Sequence, residues 1–485
     1  DFNNDAWPDI FVGNDFHEND YLYLNRGNGT FTEAIHWSLG HTSRFTMGCD
    51  LGDIDNDGWN DLLTLDMKPP EEPVLKSSAG ADPFNIYQFK LSYGYYYQHP
   101  RNMLHLNRGI RPLRLQGRPG IGFPTVFSEI GQLLGIEATD WSWSALIQDF
   151  DNDGRNDLFI TNGIPRRPND LDYKRFISNR AIQDQASDLE LAAKMPPGLY
   201  RNFAFRNAGP LAFEDVSAEW GLDLYGCSNG AAWADFDGDG DLDLVVNNLD
   251  APATLYENTL SDEGRHWLQV RLKGPAPNPF AVGARVWVWS GGEVQSRELF
   301  PVRGWLSSMQ GLLHFGLGAR EKVDSLWVVW PDGRLQRLGE QQVNQRLEIE
   351  YAPQGEWSPE LLKPSEPPLF EDLSAETAVP FAHQENPFSD FNVEKLLPHS
   401  LAEEGPALAI ADVNGDGLDD VFLGAAKGHP NALLLQEPAE GRAPRLRPSP
   451  QAEQLFRNYS AYEAVDALFF DADGDGDPDL YVANG

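Results

Sequence analysis

Asp235-Phe236-Asp237-Gly238-Asp239-Gly240-Asp241-Leu242-Asp243 sets carboxylates at positions one, three, five and nine of a nine-residue stretch, with glycine at six. Four acids this close repel one another strongly unless a cation sits between them. Oxygen ligands at alternating positions, with glycine where the backbone turns sharply, describe a loop that wraps a hard cation, Ca²⁺ first among them. The pattern returns at residues 1–9, 53–61, 149–157, 412–420 and 471–479. Each copy leads into a short apolar run that reads as a strand, such as Leu158-Phe159-Ile160-Thr161-Asn162 or Leu244-Val245-Val246-Asn247-Asn248. A single loop of this kind reads equally well as a solvated acidic turn. Six at fixed spacing do not.

A second phrase recurs between the loops: Tyr21-Leu22-Tyr23-Leu24-Asn25-Arg26-Gly27, Asn102 through Gly109, and Asn202 through Gly209, each with a Phe-containing run shortly after. The unit is therefore loop, strand, connection, strand, Asn-x-Gly turn, strand. Turns this frequent between short apolar runs predict stacked antiparallel sheets. The closest loops start 52 and 59 residues apart, the span of one four-stranded β-propeller blade. The wider gaps hold insertions at residues 67–99, which is rich in Tyr and Phe, and 165–200, where 171–195 reads as mainly helical. Both are expected to elaborate one face, where partner-binding surface is usually built. The widest gap reads as a compact β-domain at 258–352, with alternating stretches such as Ala284-Arg285-Val286-Trp287-Val288-Trp289 and a tight turn at Trp330-Pro331-Asp332-Gly333. A Pro-rich linker is expected at 353–368, before the repeat resumes at Phe370-Glu371-Asp372-Leu373.

Composition narrows the function. The net charge of the 485 residues is −37, and 22 Asp residues stand at ligand positions. Six Ca²⁺ would still leave about −25, and charge alone argues against a nucleic-acid backbone as partner. No apolar run approaches the ~18 residues that span a bilayer. Cys49 and Cys227 give no disulfide framework. Both termini fall at or beside acidic loops, so the chain reads as an excerpt whose export signal or membrane anchor would lie upstream.

The EF-hand shares positions one, three, five and six, but needs a Glu at twelve and flanking helices. Position twelve here is Thr64, Ile160, Val246, Leu423 or Val482, and the flanks read as strands. A hairpin loop that wraps the ion remains. These loops resemble the integrin-α-like repeat family, also called FG-GAP or VCBS repeats. The segment carrying Ala281-Val282-Gly283-Ala284, Gly304-Trp305-Leu306-Ser307-Ser308, His314-Phe315-Gly316-Leu317-Gly318 and Trp330-Pro331-Asp332-Gly333 resembles the ASPIC/UnbV domain. Ser142-Trp143-Ser144-Ala145-Leu146 and Asn229-Gly230-Ala231-Ala232 look like the bacterial, cartilage-acidic-protein-like surface members of that group.

The resemblance implies an all-β protein of four-stranded antiparallel propeller blades with a small sandwich-like β-domain, secreted or on the outer-membrane surface. It implies Ca²⁺ binding and capture of an extracellular protein or glycan, without catalysis. The ligands it implies are Asp1, Asn3, Asp5 and Asp9; Asp53, Asp55, Asp57 and Asp61; and Asp149, Asp151, Asp153 and Asp157. The remaining three sets are Asp235, Asp237, Asp239 and Asp243; Asp412, Asn414, Asp416 and Asp420; and Asp471, Asp473, Asp475 and Asp479. The backbone carbonyl at position seven completes each set. The first loop departs from the pattern, with Ala6 where glycine is expected.

An alternative reading is a polysaccharide-processing accessory enzyme, or a lectin-like part of a nutrient-uptake system. The sequence gives catalysis little support: no HxH or HExxH cluster, and no His beside Ser142 and Ser144. His314 reads as a packed or capping side chain. The stripe Tyr93-Gly94-Tyr95-Tyr96-Tyr97 fits either sugar stacking or an insertion core. Two layouts stay open. One has the closing blades of a propeller at 1–257, the β-domain, and the opening blades of a second propeller at 369–485. The other is a single propeller with the β-domain inserted.

Overall fold

The computed structural model describes all residues except 17, 81, 111–124, 184–185, 261–263, 359–360, 362–369, 371–372, 378, 398, 403–404 and 440–443, and the side chains of 181, 183, 375 and 376. Most of the expected linker and residues 371 and 372 of its following phrase lie outside the described residues. The chain divides into two units, Asp1–Lys363 and Pro364–Gly485, both built mainly of short antiparallel sheets.

The acidic loops from 53–61 onward each join two paired strands at the start of a blade, and loop 1–9 leads into the strand Ile10–Val12. Cys49–Gly52, Asp61–Thr64, Met103–Ile110 and Thr125–Glu129 form one four-stranded sheet in that order. Ser142–Gln148, Asp157–Asn162, Phe203–Gly209 and Ala212–Asp215 form the next. Three-stranded sheets flank this pair in sequence, and before it come the strands Ile10–Val12, Tyr21–Asn25 and Phe31–Glu33. After it come Ser228–Ala234, Asp243–Asn248 and Thr254–Tyr256. Strand Asp157–Asn162 is buried at every position, because blades cover both of its faces. That is why it reads as an unbroken apolar run rather than an alternating one. The core accordingly lies between blades: Leu63, Leu104 and Ile54 of the second meet Ile147, Leu158 and Phe205 of the third. This stacking of small sheets is a β-propeller arrangement.

Buried asparagines stitch the blades together. Asn207 Nδ2 donates to Asn156 O (3.1 Å) within its blade and to Ile54 O (2.8 Å) in the blade before. Asn107 repeats this with Asn60 O and Phe2 O, and Asn258 with Leu242 O and Phe150 O. The Asn-x-Gly turn thus serves as an inter-blade clasp as well as a hairpin.

The two insertions form one annex. Helices Glu72–Ser77 and Phe84–Ser92 stand in the first, and Leu171–Ile177, Arg180–Gln183 and Asp188–Ala193 in the second. Asp170 caps the helix Leu171–Ile177, and Ser187 with Glu190 forms a capping box for Asp188–Ala193. Ala79 N–H donates to Asn169 O at 2.7 Å, and Ser78 bridges Asp170. In the stripe of tyrosines, Tyr96 is buried against Ile35 and Leu39, while Tyr93 and Tyr97 are exposed.

The β-domain is a sandwich. A five-stranded sheet holding Arg285–Ser290 and Ser325–Val329 faces a three-stranded sheet of Leu313–Gly318, His266–Lys273 and Gln345–Glu350. Val286, Val288, Phe315, Leu326 and Val328 fill the space between them. Because side chains alternate along a strand, Trp287 and Trp289 point to the opposite face. Trp287 is nevertheless buried, in a cluster with Ala6, Val329 and Leu335. In the second unit, Leu408–Ala411, Asp420–Leu423, Ala432–Glu437 and Arg445–Pro448 make a four-stranded blade, and Ala464–Phe470 pairs with Asp479–Asn484.

The clasp is testable. Asn207→Ala leaves Ile54 O and Asn156 O without their donor in a buried site, an expected loss of about 3 kcal/mol in chemical unfolding. Asn25→Ala removes the single amide bond to Pro8 O and should cost about 1 kcal/mol. Equal losses would contradict the inter-blade role.

Candidate metal centre

Every loop closes on its own backbone in the same way. The position-one carboxylate accepts from the N–H of position five or four and, in five loops, from that of position six, as Asp149 does from Asp153 (3.2 Å) and Gly154 (2.8 Å). The position-nine carboxylate binds at both ends of the hairpin. Asp157 Oδ2 accepts from Phe150 N–H, at position two, and Oδ1 from Asn207 N–H on the next strand. Asp9, Asp61, Asp243 and Asp420 do the same, with Asn25, Asn107, Asn258 and Gln436 as the second donor. Position six lies in the left-handed region in all six loops, from φ 68° at Ala6 to 100° at Gly154. Ala6 holds this at a cost of about 1–2 kcal/mol, set against its burial beside Trp287.

Four loops bring three carboxylates together, with ligand oxygens within 4.8 Å of one another. The groups are Asp53, Asp55 and Asp57; Asp149, Asp151 and Asp157; Asp235, Asp237 and Asp239; and Asp471, Asp473 and Asp479. Position nine joins the group in two loops and position five in the other two. Loops 1–9 and 412–420, with Asn at position three, form no such group of three acids among the described residues.

The donor set is all oxygen, which suits Ca²⁺. Asp241 adds an independent sign of fit. It stands at position seven, is 5% exposed, and neither carboxylate oxygen has a hydrogen-bond partner. Burial, then the charges of Asp239 and Asp243, push its pKa up to about 8. With no cation to offset them, burial and neighbouring carboxylates raise Asp53 and Asp57 to about 7 and Asp149 to about 8. Asp61 and Asp157 rise well above the usual range for the same reasons. In the exposed loop at 412–420 the balance reverses, and the Gly417 N–H pulls Asp412 down.

The β-domain explains the burial, because it sits on the loops of its own unit. A Cβ on Gly58 would meet the Trp287 ring at 2.4 Å, and one on Gly240 would meet the Trp267 ring at 1.8 Å. Gly316 comes close enough that a Cβ would fall 2.1 Å from Asp149 Oδ2. Ser296 Oγ donates to Asp53 Oδ2, and Gln269 Nε2 to Asp235 Oδ2. Arg297 is buried near both Asp53 and Asp149, and its charge opposes the rise in their pKa values.

Comparison with known proteins agrees with this geometry. An FG-GAP-like repeat model matches residues 1–64 and 412–482, and an ASPIC and UnbV model matches 274–356. The chain carries FG-GAP-like repeats and an ASPIC/UnbV domain. Loops 149–157 and 235–243 lie outside the matched repeat residues, yet their position-one and position-nine bonds repeat the pattern. The chain is 25% identical over 356 residues to Cartilage acidic protein 1 of Mus musculus, covering 72% of this chain and 43% of that protein. The Homo sapiens protein is 24% identical over 351 residues, covering 71% and 42%. The matched region therefore spans less than half the length of these relatives.

Two of the ASPIC/UnbV signature phrases prove to be contacts with the blades, whereas Trp330 packs in the β-domain's own core. Gly304 bridges Cys49, Trp305 N–H donates to Ser144 Oγ, and the Trp305 and Trp143 rings stand 5.1 Å apart. His314 Nε2 lies 2.6 Å from Asn152 Oδ1, and burial lowers its pKa to about 3. Ser142 is equally occupied, bonded to Thr139 and Asn162. Sequence reading missed Asp241, whose adjacency to the motif was visible. It also missed position four. Asn4, Asn56 and Asn152 each donate to the position-six carbonyl of the following loop, whereas the other three loops have glycine there. Three histidines that look scattered also converge, His41 lying 5.3 Å from His99 and 6.5 Å from His105 between ring centroids. Arg101 and Glu129 pair beside them, but they form no metal-spaced group among the described residues.

Two outcomes follow. Gly238→Ala meets open space and Gly240→Ala meets Trp267. Both add left-handed strain of about 1–2 kcal/mol, and Gly240→Ala should add about 1–3 kcal/mol more for overpacking. Calorimetry showing the two equal would remove the close packing on position six. Second, carboxylates raised in the folded state favour folding only while protonated, so that stability is lost as pH climbs through 7–8. In EDTA the melting temperature should fall between pH 6 and 8.5. With millimolar Ca²⁺ it should stay level. A melting temperature in EDTA that rises over that range would contradict the assignment.

Proposed function

We propose that this protein is a non-catalytic, Ca²⁺-binding propeller protein of the cell exterior or outer-membrane surface, which binds a protein or glycan ligand. The carrying observation is the convergence of three carboxylates in each of four loops, with the orphaned Asp241 beside one of them. The proposed ligands are the side chains at positions one, three, five and nine of all six loops, joined by Asp241. At Asp53, Asp57, Asp61, Asp149 and Asp157 a bound cation replaces the protons that burial otherwise forces onto the carboxylates. It thereby holds the hairpin closed and lets the ASPIC/UnbV domain rest on an otherwise repulsive floor.

Under this reading the loops are structural. Those in the first unit lie beneath the β-domain, so ligand capture falls to the annex made by residues 67–99 and 165–200. Location outside the cell is supported by the repeat family and by the supply of millimolar Ca²⁺ there, which suits sites of modest affinity. No helix among the described residues is long and apolar enough to cross a membrane. The proposed layout has closing blades at 1–257, the β-domain at 258–352, and opening blades of a second propeller at 369–485.

By mass action a cation that binds only the folded form stabilises by about 2.7 kcal/mol per site at a hundredfold excess over Kd. Excess EGTA should therefore lower the melting temperature by several degrees, and added Ca²⁺ should restore it where Mg²⁺ does not. An unchanged melting curve would remove calcium's structural role.

A further inference from the structure

We infer that residues 96–101, the root of the first insertion, form an acid-sensitive latch. They close over a cluster of three histidines and lift from the second blade when two of these, His99 and His105, take up protons. The assignment concerns how the insertion is held, and it stands whatever the annex binds. The root is zipped on both sides. Gln98–His99 pairs in parallel with Thr42–Ser43, with Thr42 N–H donating to Tyr97 O at 2.9 Å and Arg44 N–H to His99 O at 3.1 Å. On the other side Tyr96 N–H donates to Asn19 Oδ1 and Gln98 Nε2 to Glu18 O. The Tyr87 ring stacks on that of His99 at 5.8 Å, so the helix Phe84–Ser92 is fastened at the same point.

The cluster has no anion to spare. His41 lies 5.3 Å from His99 and 6.5 Å from His105 between ring centroids. His105 is buried in the strand Met103–Ile110, and its Nε2 has no hydrogen-bond partner. The other charged groups facing these rings are Arg101, from the root itself, and Glu129, from the strand Thr125–Glu129. Arg101 Nη2 lies 3.1 Å from both Glu129 Oε2 and His41 Nε2. Burial works against the Glu129 charge, but His41, the Gly131 N–H and Arg101 hold its pKa at about 2. Glu129 therefore stays ionised and already paired with Arg101. Tyr87 is the titratable group on the packed helix, and burial pushes its pKa up, so it brings no charge. A proton added to His99 or His105 meets a guanidinium and finds no unpaired carboxylate.

Closing the root thus opposes proton uptake. Burial, then the charges of His41 and Arg101, lower the pKa of His99 to about 4. Burial lowers that of His105 to about 3, with His41 and Arg101 acting in the same direction and Glu129 against them. Both values lie below the ordinary 6.5. The stability that these neutral rings contribute is therefore complete above pH 6.5 and is lost as pH falls towards 4 and 3. His99 is freed with the root, and between pH 7.5 and 5 its proton uptake raises the opening equilibrium about thirtyfold. A second factor of about thirty follows where opening also bares His105. The opening is local because the strand Asp157–Asn162 is buried throughout, whereas root residues such as Tyr97 are exposed, and segments with little burial open first.

The test follows hydrogen exchange in the full chain at saturating Ca²⁺, at pH 7.5 and pH 5, with labelling times corrected for the intrinsic effect of pH. The opening equilibrium of residues 96–101 should rise at least about thirtyfold at the lower pH, while the strand Asp157–Asn162 keeps its protection. His99→Phe, which retains a ring for Tyr87, should cut that rise about thirtyfold. His99→Gln should do the same, so a folding defect in one variant leaves the other to decide, and melting temperatures at pH 7.5 establish which of them fold. His266→Gln, in the β-domain, should leave the rise unchanged. No rise at residues 96–101, an equal loss of protection in Asp157–Asn162, or a full response in the folded His99 variants would each overturn the latch.

Discussion

Carboxylate repulsion beside a packed domain is the constraint on which the first unit depends. Asp53, Asp149 and Asp235 begin loops whose acids lie within a few ångströms of one another, and the ASPIC/UnbV domain covers these position-one carboxylates, while Asp55, Asp57, Asp237 and Asp239 stay exposed. Desolvation raises each acid's cost of ionisation, and neighbouring charge adds to it. The protein's own remedy is partial. Arg297 reaches two loops, Arg265 and Arg155 pair with Asp151 and Asp153, and Arg346 and Gln269 approach Asp235, but the cations are fewer than the acids they face. A divalent ion in each loop would offset about half of the charge of four carboxylates.

The same packing accounts for features that otherwise look unrelated. Glycine at position six serves the turn, yet at Gly58 and Gly240 it also makes room for a tryptophan ring. Gly304 and Gly316 answer from the other side, where a Cβ would strike Ser144 or Asp149. Blade phrases and β-domain phrases are thus two halves of one interface. Asn107, Asn207 and Asn258 then carry the rigidity from blade to blade through buried amide bonds. Calcium, blade stacking and domain docking are expected to be coupled for that reason.

Much of this was legible in the sequence. Loop spacing gave the blades, the alternation of Val286-Trp287-Val288-Trp289 gave a strand, and residues 171–195 read as mainly helical, close to the helices found. The docking was not legible, because the period of a strand says which face a side chain occupies but not what lies beyond it. Trp287 reads the same whether it meets solvent, a sheet or Gly58. The role of Asn258 was hidden because no Asn-x-Gly follows it. The split of Asn and Gly at position four was visible, but its meaning required the neighbouring loop's carbonyl. A cavity beside the annex gathers residues as far apart as Phe16 and Lys174, and no local pattern announces such a convergence.

Hydrogen exchange read by mass spectrometry, with Ca²⁺ and after its removal, tests the central claim most directly. The account predicts that chelation deprotects the strands beginning at Asp61, Asp157 and Asp243 together with Arg285–Ser290 and Glu293–Glu298 of the β-domain, in one concerted change. Exchange that stays the same in both conditions, or that changes in the loops while the β-domain keeps its full protection, would contradict it.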